Sequence, residues 1–305
     1  MSLIEIEDVD LVGPHLLCIK DGAIVAESYR GNKGIQRAPF VRKDGDHYDW
    51  DEGVITSDAV DQAIAVGGKA SAEFFHWMIE IVPRLTALVE RGLSSDVNLL
   101  MRPAPRRYQR ESLEALGLTP RFITEDVVRV RHLTFPSHTI SYKGRGSISP
   151  QVAPLLRRFA DHLGAKAAVN RRLYISRGDA PKRKILNEAA LVDMLATHGF
   201  VEVRLAELTL EEQASLFLGA EVVVGLHGAG LSFCALSPPG LKVVELYPEN
   251  FIAVSPFWNI ASISGHDYAM VLCESVGNHQ DGPHNSDVNV DVSLVESVLS
   301  SAFLQ

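Results

Sequence analysis

Short apolar runs alternate with longer amphipathic segments along most of this chain, the pattern of a parallel sheet covered by helices. The second half is the more regular. Arg172–Ser176, Val201–Leu205, Glu221–Val224 and Lys242–Leu246 predict strands, while 151–163, 187–199 and Thr209–Leu218 predict helices. Gly199 suits a helix C-cap, since glycine turns left-handed without a Cβ clash. Strand, helix, strand, helix, strand, loop, short helix and strand, in that order, describe a doubly wound sheet. The last thirty residues read as a loop rich in Gly, His, Asn and Asp, then a final helix.

In the first half, residues 1 to 60 read as short strands broken by turns. Leu16–Lys20 and Ala23–Ala26 flank Asp21-Gly22, a dipeptide that favours a hairpin. A helix is expected from about Ala72, with Phe75, Ile79, Val82 and Leu85–Leu88 on one side and Pro83 as a kink or break. Asn98–Met101 predicts a strand, 106–116 a helix ending at Gly117, and Phe122-Ile123 and Leu133–Phe135 further strands. The Gly/Ser-rich stretch Ser141–Pro150 lacks apolar periodicity and marks a boundary between two α/β domains, residues 1–150 and 151–305.

Composition narrows the function. The 305 residues are ample for two domains, and 46% hydrophobic with 22% charged residues is a globular balance. A formal net charge of −9 argues against a nucleic-acid binder, yet one bound nucleotide needs only a few local cations and backbone amides. Cys18, Cys234 and Cys273 form no C-x-x-C pair, so reduced, buried thiols in a cytoplasmic protein are expected. The acidic start Met1–Asp8 lacks the basic and apolar regions of a signal peptide, and no run is long enough to span a bilayer. Any membrane link is therefore expected through a partner complex or a lipid-linked substrate.

Three segments carry candidate chemistry. Val222–Leu231 runs a buried strand into Gly225-Leu-His227-Gly228-Ala-Gly230, where small residues and the free amides of a helix start would suit a phosphate. With Glu245 ending the next strand as a ribose-binding acid, a dinucleotide site of an oxidoreductase is the competing reading. The glycine order is G-x-x-G-x-G, however, and a ligand-free tight turn is the bland one. Upstream, Ser176–Asn187 follows a strand end. There Arg177 offers a bidentate fork and Lys184 a point charge, unless the run is simply a solvated basic loop. In the first half, His76 and Glu80 lie four apart and share a helix face. They form either a carboxylate-supported general base or a helix-surface pair worth tenths of a kcal/mol.

Taken together, these segments resemble glycosyltransferase family 61, a group also described among capsular polysaccharide synthesis proteins. The resemblance rests on Phe75–Leu85, Leu173–Arg177 with Arg183 and Asn187-Glu188, Leu208–Gln213, Val224–Leu231 and Val244–Pro248, in the family's order. It implies a GT-B fold, with two Rossmann-like domains facing across a cleft. It also implies inverting, metal-independent transfer of a hexosyl or pentosyl group from a nucleotide sugar, a UDP-sugar by expectation. The acceptor would be a glycan or lipid-linked glycan of a bacterial capsule or surface polysaccharide. By position, Arg177 and Lys184 would hold the diphosphate beside His227, Gly228 and Gly230. Glu245 would receive the ribose hydroxyls, and His76 or Glu80 would act as base. The family often has Asp where this chain has Glu80, which leaves the base between those two residues. A non-catalytic nucleotide-sugar-binding subunit is the remaining alternative.

Overall fold

The computed structural model describes residues 1–13, 16–25, 28, 41–44, 47–50, 59–67, 73–93, 98–103, 106–141, 147–178, 180, 182–251, 256–277, 282 and 285–303. The fold is α/β, and the chain divides into two compact units, Met1–His162 and Leu163–Gln305.

In the first unit, β1 (Leu3–Val12), β2 (Leu17–Lys20) and β3 (Ala23–Ile24) form an antiparallel meander, and β4 (Val41–Asp44) pairs with β5 (His47–Trp50). Asp21 and Gly22 both have positive φ (50° and 73°), the geometry a two-residue hairpin turn demands. Next come β6 (Val60–Ala65), β7 (Leu99–Met101), β8 (Arg121–Phe122), β9 (Val127–Pro136) and the short pair β10 (Ile140–Ser141) and β11 (Ser147–Ile148). Seven strands join in the order β3-β2-β1-β9-β6-β7-β8. The expected all-parallel sheet is found only from β9 to β8. On the other side β1 runs antiparallel to β9, from Leu3↔Pro136 to Val12↔Val127. Val9, Leu11, Leu100, Val130, Leu133 and Phe135 belong to its core.

The helix expected here is continuous but not uniform. α1 (Phe74–His76) passes into a wider π turn, Trp77–Ile81, and then α2 (Val82–Val89). Val82 N–H donates to Trp77 O, five residues back, and Pro83 falls in the first turn of α2, where its missing N–H does least harm. The expected start at Ala72 lies outside the described residues. α3 (Arg107–Ala115) ends before Gly117, at φ 64°, and α4 (Val152–His162) packs on α2. The helix after the Gly/Ser-rich stretch, of which 142–146 lie outside the described residues, thus belongs to the first unit.

Arg84 of α2 is fully buried. Its Nε and Nη2 donate to Pro136 O at 3.1 and 2.9 Å, its Nη1 to Gly67 O at 2.7 Å, and its guanidinium lies 4.9 Å from the Phe135 ring centroid. It ties the ends of β9 and β6 to the helix, satisfying carbonyls that would otherwise be buried without a donor.

The second unit is built on β12 (Arg172–Ile175), β13 (Val201–Val203), β14 (Val222–Leu226), β15 (Lys242–Pro248), β16 (Asp267–Val276) and β17 (Asp287–Asn289). The sheet order is β13-β12-β14-β15-β16-β17, parallel except for the antiparallel β17. One face packs Tyr174, Val222, Val224, Val244, Leu246 and Val271 beneath α5 (Glu188–Thr197) and α8 (Val292–Val298). The opposite side holds α6 (Leu210–Gly219), a 3-10 turn (Ala229–Leu236) and α7 (Pro256–Ser264), with Phe217 and Phe233 stacked at 5.5 Å. Thr209 caps α6 reciprocally with Glu212, and Gly199, at φ 74°, ends α5 as expected. The doubly wound order read from the sequence is present. β17 lies in the stretch expected to be a loop, and α7 and β16 fall where no element was predicted.

Replacing Arg84 with Met should leave the two carbonyl oxygens without their donor and destabilise the protein by about 2–4 kcal/mol. Urea unfolding followed by circular dichroism measures it.

Candidate functional site

β12 and β14 are neighbours in the sheet but not consecutive in the chain, because the chain crosses to β13 between them. In such sheets the crevice at the strands' carboxyl ends, where the winding reverses, is the place for a ligand. Ile175 pairs with Gly225, so Arg177 and His227 leave the sheet side by side. Tyr174 and Ser176 donate to Glu188 Oε1 at 2.6 and 2.9 Å, and Gly178 N–H donates to Ser176 Oγ, which fixes the loop carrying Arg177.

Arg177 lies directly against Gly228: a Cβ there would collide with its Nη1 and sit 3.1 Å from its Cζ. Gly228 itself is extended, with φ 179°, so its lack of a side chain serves space rather than conformation. Gly230 likewise gives way to Leu205, whose Cδ1 would be 2.7 Å from an added Cβ. Gly225 accommodates Leu231 and Ile175 at 3.1 and 3.3 Å. The glycines expected to admit a ligand therefore first admit the protein's own side chains, one of them a cation.

The second cation at this mouth is Arg183. Its backbone is left-handed, with φ 58°, and its Nη1 donates to His227 O at 2.8 Å. Arg177 reaches back to the same segment, with Nε to Arg183 O at 3.4 Å and Nη2 to Lys182 O at 3.2 Å. Burial, and then the charge of Arg177, pushes the Arg183 pKa down to about 10, which still leaves it protonated near neutrality. The buried Arg183 Nε has no acceptor among the described residues. Two guanidinium groups brought together are suited by charge and geometry to a multiply charged anion.

Lys184, the residue expected in this role, is exposed. Its described hydrogen bonds run through its main chain to β17, from its N–H to Asp287 Oδ1 and from Val288 N–H to its carbonyl. Its neighbour Arg183 takes the place assigned to it.

Glu245 is fully buried. Its Oε1 lies 2.5 Å from His227 Nδ1, and its Oε2 accepts from Tyr268 Oη. Neither oxygen is presented to solvent, so the ribose-binding role expected of Glu245 is not the one its surroundings provide. The dinucleotide reading loses its ribose acid with it. His227 is boxed by Tyr247 and Phe257, with ring centroids 4.8 and 5.4 Å away, and its side chain keeps 14% exposure.

In the first unit, His76 Nδ1 and Glu80 Oε1 are 2.8 Å apart, with side-chain exposures of 25% and 1%. Glu80 belongs to the π turn, which places its carboxylate inside and the imidazole at the surface; such turns recur at functional positions. Thr139 donates to Ile79 O at 2.7 Å and Trp77 Nε1 to Ser112 Oγ at 3.1 Å, holding the turn from both sides. Among the described residues no group of three or more His, Cys, Asp or Glu is arranged to hold a metal, and no helix is long and apolar enough to cross a membrane.

Sequence reasoning missed Tyr268 and Arg84 and preferred Lys184 to Arg183. Of these, Arg84 and Arg183 had a signal, their place within or beside the family-like stretches, and Tyr268 had none.

The model of a family described as Glycosyltransferase 61 matches residues 74–244, more than half of the chain. A protein O-linked-mannose beta-1,4-N-acetylglucosaminyltransferase 2 of Takifugu rubripes is 39% identical over 92 residues, 28% of this chain and 15% of that protein. The same-named protein of Tetraodon nigroviridis is 36% identical over 92 residues, 28% of this chain and 16% of that one. An EGF domain-specific O-linked N-acetylglucosamine transferase of Gallus gallus is 37% identical over 70 residues, 21% of this chain and 13% of its own length. The matched stretches are thus a minor part of each relative.

Gly228→Ala should push the Arg177 guanidinium out of its seat. Titration calorimetry with inorganic pyrophosphate is expected to show binding weakened about tenfold, or about 1.4 kcal/mol, with the circular dichroism spectrum unchanged.

Proposed function

The chain belongs to the glycosyltransferase 61 family, and on that footing we propose that it moves a sugar from a UDP-sugar to a glycan hydroxyl with inversion at the anomeric carbon. The observation that carries this reading is the meeting of Arg177 and Arg183 beside the Gly228 backbone, at the reversal point of a parallel sheet. A departing nucleoside diphosphate gains charge as its bond to the sugar breaks. Guanidinium groups already in place stabilise that charge more than they stabilise the ground state. In this reading the cations come from the chain itself, and no metal is called on.

His76 is the proposed base. Glu80 is too buried to meet an acceptor, so it holds Nδ1–H and leaves Nε2 to take the hydroxyl proton. The hydroxyl oxygen then attacks the anomeric carbon from the face opposite the diphosphate. The GT-B arrangement of two Rossmann-like domains belongs to the same proposal, supported by the doubly wound second unit. The names of the relatives make N-acetylglucosamine the first sugar to test and protein-linked O-glycans the first acceptors. A surface polysaccharide assembled at a cytoplasmic membrane complex is the other acceptor setting we propose to screen.

With UDP-N-acetylglucosamine as donor, Arg183→Ala should lower kcat for transfer or hydrolysis about 100-fold or more, while Lys184→Ala stays within about threefold of the parent. His76→Ala should cost about 100-fold or more in transfer, with UDP affinity retained. Full turnover by Arg183→Ala at saturating donor would refute the assignment.

A further inference from the structure

Among the described acids of the second unit, Glu245 alone is fully buried. Burying a carboxylate is costly unless its oxygens are met by donors. Here His227 Nδ1 meets one, at 2.5 Å, and the Tyr268 hydroxyl the other. Tyr268 comes from β16, two register pairs from Met270, which lies opposite Glu245, so strand, neighbouring strand and loop are linked by one line of hydrogen bonds.

The arrangement fixes more than stability. An ionised carboxylate has no proton to give, so the form assigned here to the His227–Glu245 bond has Nδ1 as the donor. That leaves Nε2 as the only ring atom able to serve a ligand. Rotation of the ring is opposed by Tyr247, Phe257 and, at 6.2 Å, Phe251. The main chain of His227 is held as well, its N–H by Leu246 O at 2.8 Å and its carbonyl by Arg183. The same residue is followed by Gly228, against which Arg177 lies. The imidazole with one fixed edge is thus carried on main chain that Arg183 binds at its carbonyl and that Arg177 meets one residue later.

Building on the transferase reading above, we propose that Glu245 and Tyr268 are positioning residues that lock His227 as the Nδ1-protonated form, with Nε2 turned to the leaving diphosphate. His227 is then the residue that touches the reacting group. As the bond between the anomeric carbon and the phosphate oxygen breaks, its electron pair passes to that oxygen. With Nδ1–H kept on Glu245 and a second proton taken up from solvent at Nε2 before transfer, the ring donates a hydrogen bond to that oxygen, beside Arg177 and Arg183. No proton need leave the imidazole for the charges to balance. Glu245 contributes from behind: its negative charge faces the imidazole and the Tyr268 hydroxyl rather than the diphosphate.

Long-range proton–nitrogen NMR of the full chain labelled at histidine reads the tautomer directly, with His227→Asn supplying the assignment. The parent protein should show His227 protonated at Nδ1, and Tyr268→Phe should shift both ring nitrogens. In steady-state assays with UDP-N-acetylglucosamine, Tyr268→Phe should lower kcat about tenfold, while KM and UDP affinity stay within about threefold; Glu245→Gln should lower kcat further. A purely structural chain would lower the melting temperature of these variants but not kcat per folded molecule. Finding Nε2 protonated and Nδ1 bare in the parent, or full kcat in Tyr268→Phe, overturns the proposal. If the parent neither binds UDP nor turns over donor, the transferase reading falls. The tautomer measurement, which needs no substrate, still decides whether Glu245 and Tyr268 hold His227.

Discussion

Two parallel strands that touch without following each other in the chain must release their loops at the same edge of the sheet. That constraint governs the second unit. β12 and β14 are such a pair, and the register of Ile175 with Gly225 is what sets Arg177 beside His227 and Gly228. Neither the glycines nor the arginine would amount to a site on another strand order. Placed here, the loop of β12 supplies a guanidinium, the loop of β14 supplies backbone without side chains, and Arg183 closes the group from the following segment.

Buried charge is handled in two ways, and the difference separates scaffold from site. Arg84 spends its donors on the carbonyls of Pro136 and Gly67, at the ends of a helix-to-sheet contact. It is fully enclosed, and its work is mechanical. Glu245 is equally enclosed, yet one of its partners, His227, remains partly open to solvent. His76 and Glu80 repeat that pairing in the first unit: an inner carboxylate backs an outer imidazole. Desolvating the acid directs its hydrogen bond to the ring, and the ring carries the consequence to the surface.

The legible parts of the sequence were those in which apolar period and turn chemistry agree. The strands at Arg172, Val222 and Lys242, the hairpin at Asp21-Gly22, the helix beginning near Thr209 and the cap at Gly199 all fall where pattern put them. β16 was missed because its outward positions include Met270 and Leu272, so it does not alternate cleanly between apolar and polar, and its partner β17 has only three residues. Missing β16 meant missing Tyr268, and without Tyr268 a strand-end acid reads as a ligand for ribose. The mixed sheet of the first unit was equally hidden. β1 pairs with a strand more than a hundred residues away, and no local signal states the direction of such a ladder. The choice between Arg183 and Lys184 is finer still. Arg183, whose backbone is left-handed, reaches the His227 carbonyl, while Lys184 beside it is exposed.

Gly228 and Arg177 occupy what is effectively one volume, shared between a missing side chain and a long one. Positions linked in this way are not free to vary separately. In any descendant of this chain, a methyl group gained at the first would select for a shorter residue at the second, and the cationic fork would then have to be supplied from elsewhere. The pair is thus a single heritable unit, though fifty residues of sequence separate its members.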